Sequence, residues 1–103
     1  MILSKHDIIK FRLFNKLINY KPIIEAPCRI GKIDILTNTE AIEIKPTKNW
    51  KHAVGQALTY GISTNKSPRI HLYGSKRLCN NKEKIIKDLG IRLTYDLDEI
   101  KNN

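Results

Sequence analysis

Two acids and a lysine in segments that resemble neighbouring strands have the clearest potential for chemistry. Asp34 lies in an alternating segment at 30–37, and Glu43 and Lys45 lie in a second one at 39–45. A tight turn between the segments would pair them antiparallel and place Asp34 opposite Glu43, with Cβ atoms about 4.5–5.5 Å apart. A four-residue loop leaves this register unchanged. Lys45 would then project from the same face as the two acids, one pleat away.

Such a patch is suited to binding a hard divalent cation. Two carboxylates that close repel each other unless a cation lies between them. Mg²⁺ typically uses one or two carboxylates together with waters and substrate phosphates. The ion can activate a water, and a nearby ammonium group can stabilise charge on a phosphoryl group. The alternative is an ordinary polar strand face, on which Lys45 neutralises both acids in a solvated cluster.

The segments around this hairpin predict an α/β domain with a mixed sheet. We expect, in chain order, a helix at 5–20 capped by Ser4, strands at 23–27, 30–37 and 39–45, a helix at 49–63 capped by Asn49, a strand at 69–73, a helix at 82–89 and a strand at 91–95. No repeat or linker divides the chain, so residues 1–103 are expected to form one domain.

Hydrophobic spacing predicts which helix faces are buried. The first helix is expected to bury a stripe at three-to-four spacing, made of Ile8, Phe11, Phe14 and Ile18. The second is expected to bury Trp50, Ala53, Val54, Ala57 and Gly61. Trp50 is therefore interpreted as packing its helix onto the sheet rather than as stacking on a base.

The charge balance favours a polyanionic partner. The 103 residues include 19 Lys and Arg against 10 Asp and Glu, a formal net charge of +9. Clustered cations gain free energy by displacing counterions from phosphates, although the same charge could serve only as a solubilising surface. The absence of a long apolar stretch or secretion signal predicts an intracellular chain without a membrane span. Cys28 and Cys79 are too far apart for a zinc motif and are interpreted as free thiols in a reducing compartment.

Three motifs in order carry a resemblance to a known family. Gly31-Lys32-Ile33-Asp34, then Glu43-Ile44-Lys45, then Gln56-Ala57-Leu58-Thr59-Tyr60 resemble the PD-(D/E)XK nuclease superfamily. The last motif is similar to that of its RecB-type and viral or phage branches. The resemblance covers about residues 5–73. It implies a restriction-endonuclease-like core of order αβββαβ, here followed by αβ.

The resemblance also implies roles for the hairpin residues. Asp34 and Glu43 would ligate Mg²⁺, with Mn²⁺ able to substitute, and the carbonyl of Ile44 would complete the metal shell. Lys45 would orient or activate the attacking water. A further carboxylate is expected from Glu25, because its strand lies beside the hairpin; the alternatives are Asp7 on the first helix and a Glu25 that is only a surface carboxylate.

The second helix would complete the site. Gln56 and Tyr60 are one helical turn apart and so share a face, and in similar nucleases this pair supports the site or contacts the substrate backbone. Gln56 is accordingly expected to act in catalysis and Tyr60 in nucleic-acid binding. Basic residues clustered around the motifs are expected to contact phosphates: Arg29, Lys32, Lys48, Lys51 and His52.

Together these features predict a Mg²⁺-dependent deoxyribonuclease that hydrolyses phosphodiester bonds by metal-activated water, with a structure-specific preference for junctions, flaps or single-strand ends. DNA is the expected partner, and the chain is expected to assemble as a homodimer or within a larger replication or repair assembly. The expected origin includes a virus or phage. The alternative is a non-catalytic nucleic-acid-binding module that keeps the nuclease fold. A basic interaction protein without a nucleic-acid role would leave the paired acids unexplained.

Overall fold

Five strands form one mixed sheet with helices on both faces in a computed structural model, which describes residues 2–98. The elements are α1 (Lys5–Lys16), β1 (Ile23–Cys28), β2 (Gly31–Leu36), β3 (Glu40–Pro46), α2 (Trp50–Thr64), β4 (Ser67–Gly74), α3 (Asn80–Asp88) and β5 (Arg92–Leu97), with 3₁₀ turns at Ile18–Tyr20 and Thr47–Asn49. The strands lie in sequence order; β1, β2 and β3 pair antiparallel, and β3, β4 and β5 pair parallel. The predicted α/β class and the mixed sheet are thus confirmed.

Alternation along the central strands divides the core into two layers. On one face, Ile42 and Ile44 of β3 pack against Ile9 and Leu13 of α1. On the other face, α2 lies over β4 through small residues, because Ala53 and Ala57 let the helix approach the sheet closely. Trp50 is partly buried against this second cluster, as predicted. Within residues 2–98, no helix is both long and apolar enough to cross a membrane.

The first helix packs with a different face from the one predicted. Ile8, Phe11 and Ile18 are 44%, 41% and 57% exposed, whereas Ile9 and Leu13 are buried. Phe14, the fourth predicted residue, is partly buried against the core. Both sets satisfy the helical period, since Ile9 and Leu13 are also one turn apart. The helix ends at Lys16 rather than at residue 20, and a 3₁₀ turn and Lys21 at φ 53° lead into β1. The predicted cap is correct: Ser4 Oγ accepts a hydrogen bond from the Asp7 amide at 3.1 Å.

The second helix begins close to its predicted start. Asn49 occupies the N-cap position, but its side chain makes no capping hydrogen bond, and a 3₁₀ turn precedes it. Gly61 permits a close approach to the loop that follows the helix, because a Cβ there would lie 3.0 Å from the Lys66 carbonyl oxygen. Tyr60, outside the predicted apolar stripe, is also buried.

The β2–β3 hairpin has the predicted register. Ile35 pairs with Ile42 and Leu36 with Ala41, which continues to Asp34 opposite Glu43. No residue of the turn at 37–40 has positive φ. Thr37 Oγ1 accepts hydrogen bonds from the amides of residues 39 and 40 at 3.2 and 2.9 Å, which hold the turn together.

The β1–β2 ladder is interrupted beside this hairpin. Ile24 pairs with Ile35 and Ala26 with Ile33, but Glu25 between them has φ 53°. Ile33 packs with Ala26 and Tyr60, whereas Ile35 packs in the cluster against α1. Ile33 and Ile35, on either side of Asp34, therefore face opposite sides of the sheet. Asp34 lies at this change of side, between the layer of α1 and the layer of α2.

Candidate active site

Each of the two hairpin acids accepts a hydrogen bond from a backbone amide of the neighbouring strand. The amide of Asp34 donates to Glu43 Oε1 at 3.4 Å, and the amide of Ile44 donates to Asp34 Oδ2 at 2.8 Å. The Asp34 side chain is 13% exposed and Glu43 only 3% exposed. The structure thus places the two predicted carboxylates side by side, on adjacent strands and largely out of water.

This environment changes the acidity of Glu43. Burial, followed by the charge of Asp34, raises its pKa from 4.5 to about 8. The amide of Asp34 and the charge of Lys45 act in the opposite direction but are weaker. At neutral pH the Glu43 carboxyl therefore holds a proton. A cation between the two acids would reverse this preference, because it favours both ionised forms.

Helix α1 brings His6 to the same place. Its Nε2 lies 3.0 Å from the carbonyl oxygen of Ile44 and 3.4 Å from Asp34 Oδ2, and its ring meets Tyr73 edge-on with centroids 6.3 Å apart. This histidine was not predicted to take part in chemistry. Sequence spacing offers no signal for it, because His6 and Ile44 are 38 residues apart and meet only when α1 packs on the sheet.

Helix α2 lines a groove whose walls do not include Asp34, Glu43 or Lys45. The groove has a volume of about 410 Å³, and the predicted residues Lys51, His52, Gln56 and Tyr60 all line it. Gln56 Oε1 is buried and has no hydrogen-bond partner within residues 2–98. A buried acceptor of this kind is costly unless a donor reaches it, so this atom is suited to receive a donor from a bound molecule.

Tyr60 joins the groove to the hairpin. It is buried, and its hydroxyl oxygen would lie 2.6 Å from a Cβ added at Gly31, so a larger residue there would require Tyr60 to shift. Gly31 also has φ 152°, a conformation that L side chains rarely adopt. Burial, followed by the charge of Glu43 and smaller contributions from Cys28 and Asp34, raises the pKa of Tyr60. Its phenol therefore stays protonated and available as a donor near the carboxylates.

Glu25 does not join the acid pair in this structure. Its carboxylate is bound to the Lys10 ammonium at 2.5 Å, and Asp7 contacts the same ammonium at 3.4 Å. Burial lowers the pKa of Lys10, but the hydrogen bonds and charges of the two acids outweigh it and raise the pKa overall. The expected extra ligand is thus drawn away because Lys10, buried by the unpredicted orientation of α1, requires an anionic partner. Asp7 comes nearer to the site, with Oδ1 3.9 Å from His6 Nδ1.

The other predicted residues surround the site without closing on it. Lys45 is half-buried and lies near Glu43, but it forms no ion pair within 4.0 Å in the described chain. Arg29 and Lys32 are exposed at the β1–β2 turn, and Lys48 is exposed in the 3₁₀ turn before α2. In residues 2–98 no three His, Cys, Asp or Glu side chains gather in the geometry of a preformed metal site. The donors present are two carboxylates and the Ile44 carbonyl, a set of hard oxygens that suits Mg²⁺ or Mn²⁺.

Comparison with known proteins finds viral relatives. The chain is 44% identical over 73 residues to the KilA-N domain-containing protein L32 of Acanthamoeba polyphaga mimivirus, covering 68% of this chain and 20% of the relative. It is 42% identical over 59 residues to R878 of the same virus, covering 57% and 16%, and 36% identical over 77 residues to L33, covering 71% and 31%. Both are also named as KilA-N domain-containing proteins.

The chain spans between about a sixth and a third of the length of these curated relatives. Their viral source agrees with the origin expected from the sequence. No protein-family model matches the chain. No solved structure matches it.

Proposed function

We propose that this chain is a divalent-metal-dependent nuclease with a restriction-endonuclease-like core of the PD-(D/E)XK type, and that it hydrolyses phosphodiester bonds in DNA. The observation that carries the proposal is the buried carboxyl of Glu43 beside Asp34, with a pKa raised to about 8. A fold gains no stability from placing two acids together out of water. The arrangement is useful where a cation is to be bound.

The donor set fits a magnesium or manganese ion. Asp34 and Glu43 would hold it through carboxylate oxygens, and the Ile44 carbonyl is close by, since His6 Nε2 lies within 3.4 Å of both that carbonyl oxygen and Asp34 Oδ2. A bound divalent cation would supply Lewis acidity toward a phosphoryl oxygen and toward water. His6, which contacts both Ile44 and Asp34, fixes these two oxygens in place and is a positioning residue.

The remaining polar groups have distinct tasks. The Lys45 ammonium, on the same strand face as Glu43, orients the attacking water and stabilises the charge that develops on the phosphoryl group. The groove along α2 accommodates the strand backbone, with Lys51 and His52 facing its phosphates. Gln56 Oε1 accepts a hydrogen bond from the substrate or from an ordered water. The net charge of +9 brings a polyanion to this surface.

Cleavage assays with matched variants test the proposal. The substrates are single-stranded, duplex, flap and four-way DNA and an RNA strand, each with Mg²⁺, Mn²⁺ or EDTA. Asp34→Asn and Lys45→Met are compared with Asp88→Asn and Lys87→Met, which make the same charge changes on the exposed surface of α3. We expect metal-dependent cleavage that the site variants lower by at least about a hundredfold and that the α3 variants retain.

Binding measurements on the same proteins separate the alternatives. Salt-sensitive DNA binding without cleavage in either metal would favour a non-catalytic nucleic-acid-binding module. Cleavage that persists in EDTA, or that survives in Asp34→Asn, would contradict the assigned site.

A further inference from the structure

A second polar cavity lies on the opposite face of the sheet from Glu43. It has a volume of about 550 Å³ and lies between the end of α1 and the first residues of β3 and β4. Its polar wall, called here the arginine pocket, is formed by Lys16, Tyr20, Glu40, Arg69 and Arg92. Arg69 pairs in register with Ile42, which packs toward α1, whereas Glu43 pairs with Ile70, which packs toward α2. The arginine pocket is therefore separate from the acid pair.

The arginine pocket has more positive than negative charge. Arg69 and Arg92 share the one carboxylate of Glu40, at 3.3 and 3.4 Å. Charge-assisted hydrogen bonds between such groups are usually about 2.7–2.9 Å long, so neither guanidinium is closely paired. The Arg69 and Glu40 side chains are only 6% and 13% exposed, and Lys16 adds a third cation. Because the buried Arg69 shares a single carboxylate with Arg92, its charge is only partly neutralised and can attract a further anion.

The neighbouring histidine adds no positive charge to the arginine pocket. His71 is buried on this face of the sheet, and its Nδ1 lies 2.7 Å from Thr94 Oγ1. Burial, followed by the charge of Arg69, lowers its pKa to about 4; Asp96 acts in the opposite direction, and Lys16 makes a smaller lowering contribution. His71 therefore remains neutral at physiological pH and does not supply the anion's countercharge.

Hydrogen-bond donors remain available to a ligand. Arg69 uses Nε on Thr94 at 3.0 Å and Nη1 on Glu40, while its Nη2 has no partner in the described part of the chain. Arg92 is mostly exposed at the rim. Guanidinium groups present paired donors that match phosphate oxygens.

We propose that the arginine pocket binds a phosphate group, with Arg69 at its base and Arg92 and Lys16 at its rim. The ligand is either the terminal phosphate of a nucleic-acid strand or a free phosphate compound, since both offer the same oxygens. This site lies outside the proposed catalytic centre and requires no metal. It would allow the protein to hold a phosphate on one face of the sheet independently of the acids on the other.

The test uses the whole chain carrying Asp34→Asn, in EDTA, so that neither cleavage nor metal binding contributes. Inorganic phosphate is titrated by calorimetry against chloride at matched ionic strength. Oligonucleotides of one sequence with a 5′ phosphate, a 3′ phosphate or neither are titrated by fluorescence anisotropy. Stronger binding of a terminally phosphorylated strand identifies a strand end as the source, whereas inorganic phosphate binding without that gain identifies a free phosphate compound.

Two variants and a control decide whether the arginine pocket is responsible. Arg92→Gln is expected to weaken phosphate binding about five- to tenfold, while Lys87→Gln on α3 leaves it unchanged. Glu40→Gln is expected to tighten phosphate binding, because it removes the competing carboxylate, and added phosphate should restore any thermal stability that this variant loses. Phosphate binding no stronger than that of chloride, or equal effects of Arg92→Gln and Lys87→Gln, would overturn the proposal and leave the nuclease assignment untouched.

Discussion

Replacing Glu43 with glutamine should change how the stability of the protein depends on pH. The folded-state pKa of about 8 is above the ordinary value of 4.5, so between these values the folded protein holds a proton that the unfolded chain has lost. The stabilisation from this proton is fully present below pH 4.5 and is lost as the pH rises through 8. Glutamine has the same shape but no charge to bury.

The size of the effect follows from the pKa difference. At 1.36 kcal/mol for each pH unit, a rise from 4.5 to about 8 corresponds to up to about 5 kcal/mol. Between pH 5 and pH 9, the free energy of unfolding of the native sequence should fall by about 3–5 kcal/mol relative to Glu43→Gln. Near pH 5 the two proteins should differ little.

Urea denaturation in EDTA, followed by the fluorescence of the single tryptophan, measures this difference. Asp88→Asn, an exposed change on α3, serves as the matched control and should follow the native pH dependence. Adding Mg²⁺ at pH 8 should stabilise the native sequence and release protons, whereas Glu43→Gln should gain much less. A difference between native protein and Glu43→Gln that stays constant from pH 5 to pH 9 would refute the reasoning.

Other substitutions test individual contacts. Gly31→Ala should lower the free energy of unfolding by about 1–3 kcal/mol, and Tyr60→Phe should restore part of that loss in a double-mutant cycle, since the tyrosine hydroxyl is the atom that the new Cβ meets. Gln56→Met should raise stability by about 1 kcal/mol in urea denaturation and lower any cleavage activity, because it removes a buried acceptor without a partner. Ile9→Ala should lower the free energy of unfolding by about 2–4 kcal/mol and Ile8→Ala by less than about 1 kcal/mol. The reverse order would mean that the face of α1 carrying Ile8, and not the face carrying Ile9, packs against the sheet.

The central hairpin could be predicted because its information is local. Alternating residues and a short turn determine the register, so the opposition of Asp34 and Glu43 follows from counting residues. The same logic applies to α2, where small residues at helical spacing mark the face that packs on the sheet.

The first helix could not be oriented from its sequence. Two overlapping apolar stripes fit its period, and the choice depends on contacts with distant strands. The wrong orientation of α1 also affected the predicted site, because the actual orientation brings His6 to Asp34 and places Lys10 where it binds Glu25. Long-range packing thus decided which groups join the acid pair and which do not.

The sequence separations between the residues of the site imply the order in which they meet during folding. Asp34 and Glu43 are nine residues apart and meet as soon as one hairpin closes, whereas His6 reaches Ile44 across 38 residues. Closing short loops is faster than closing long ones. Before α1 and α2 pack on the sheet, a partly folded chain therefore exposes both acids to water, and the metal site proposed above would be open to a divalent cation at that stage. Mg²⁺ is accordingly expected to speed refolding, with the histidine as the last group to join.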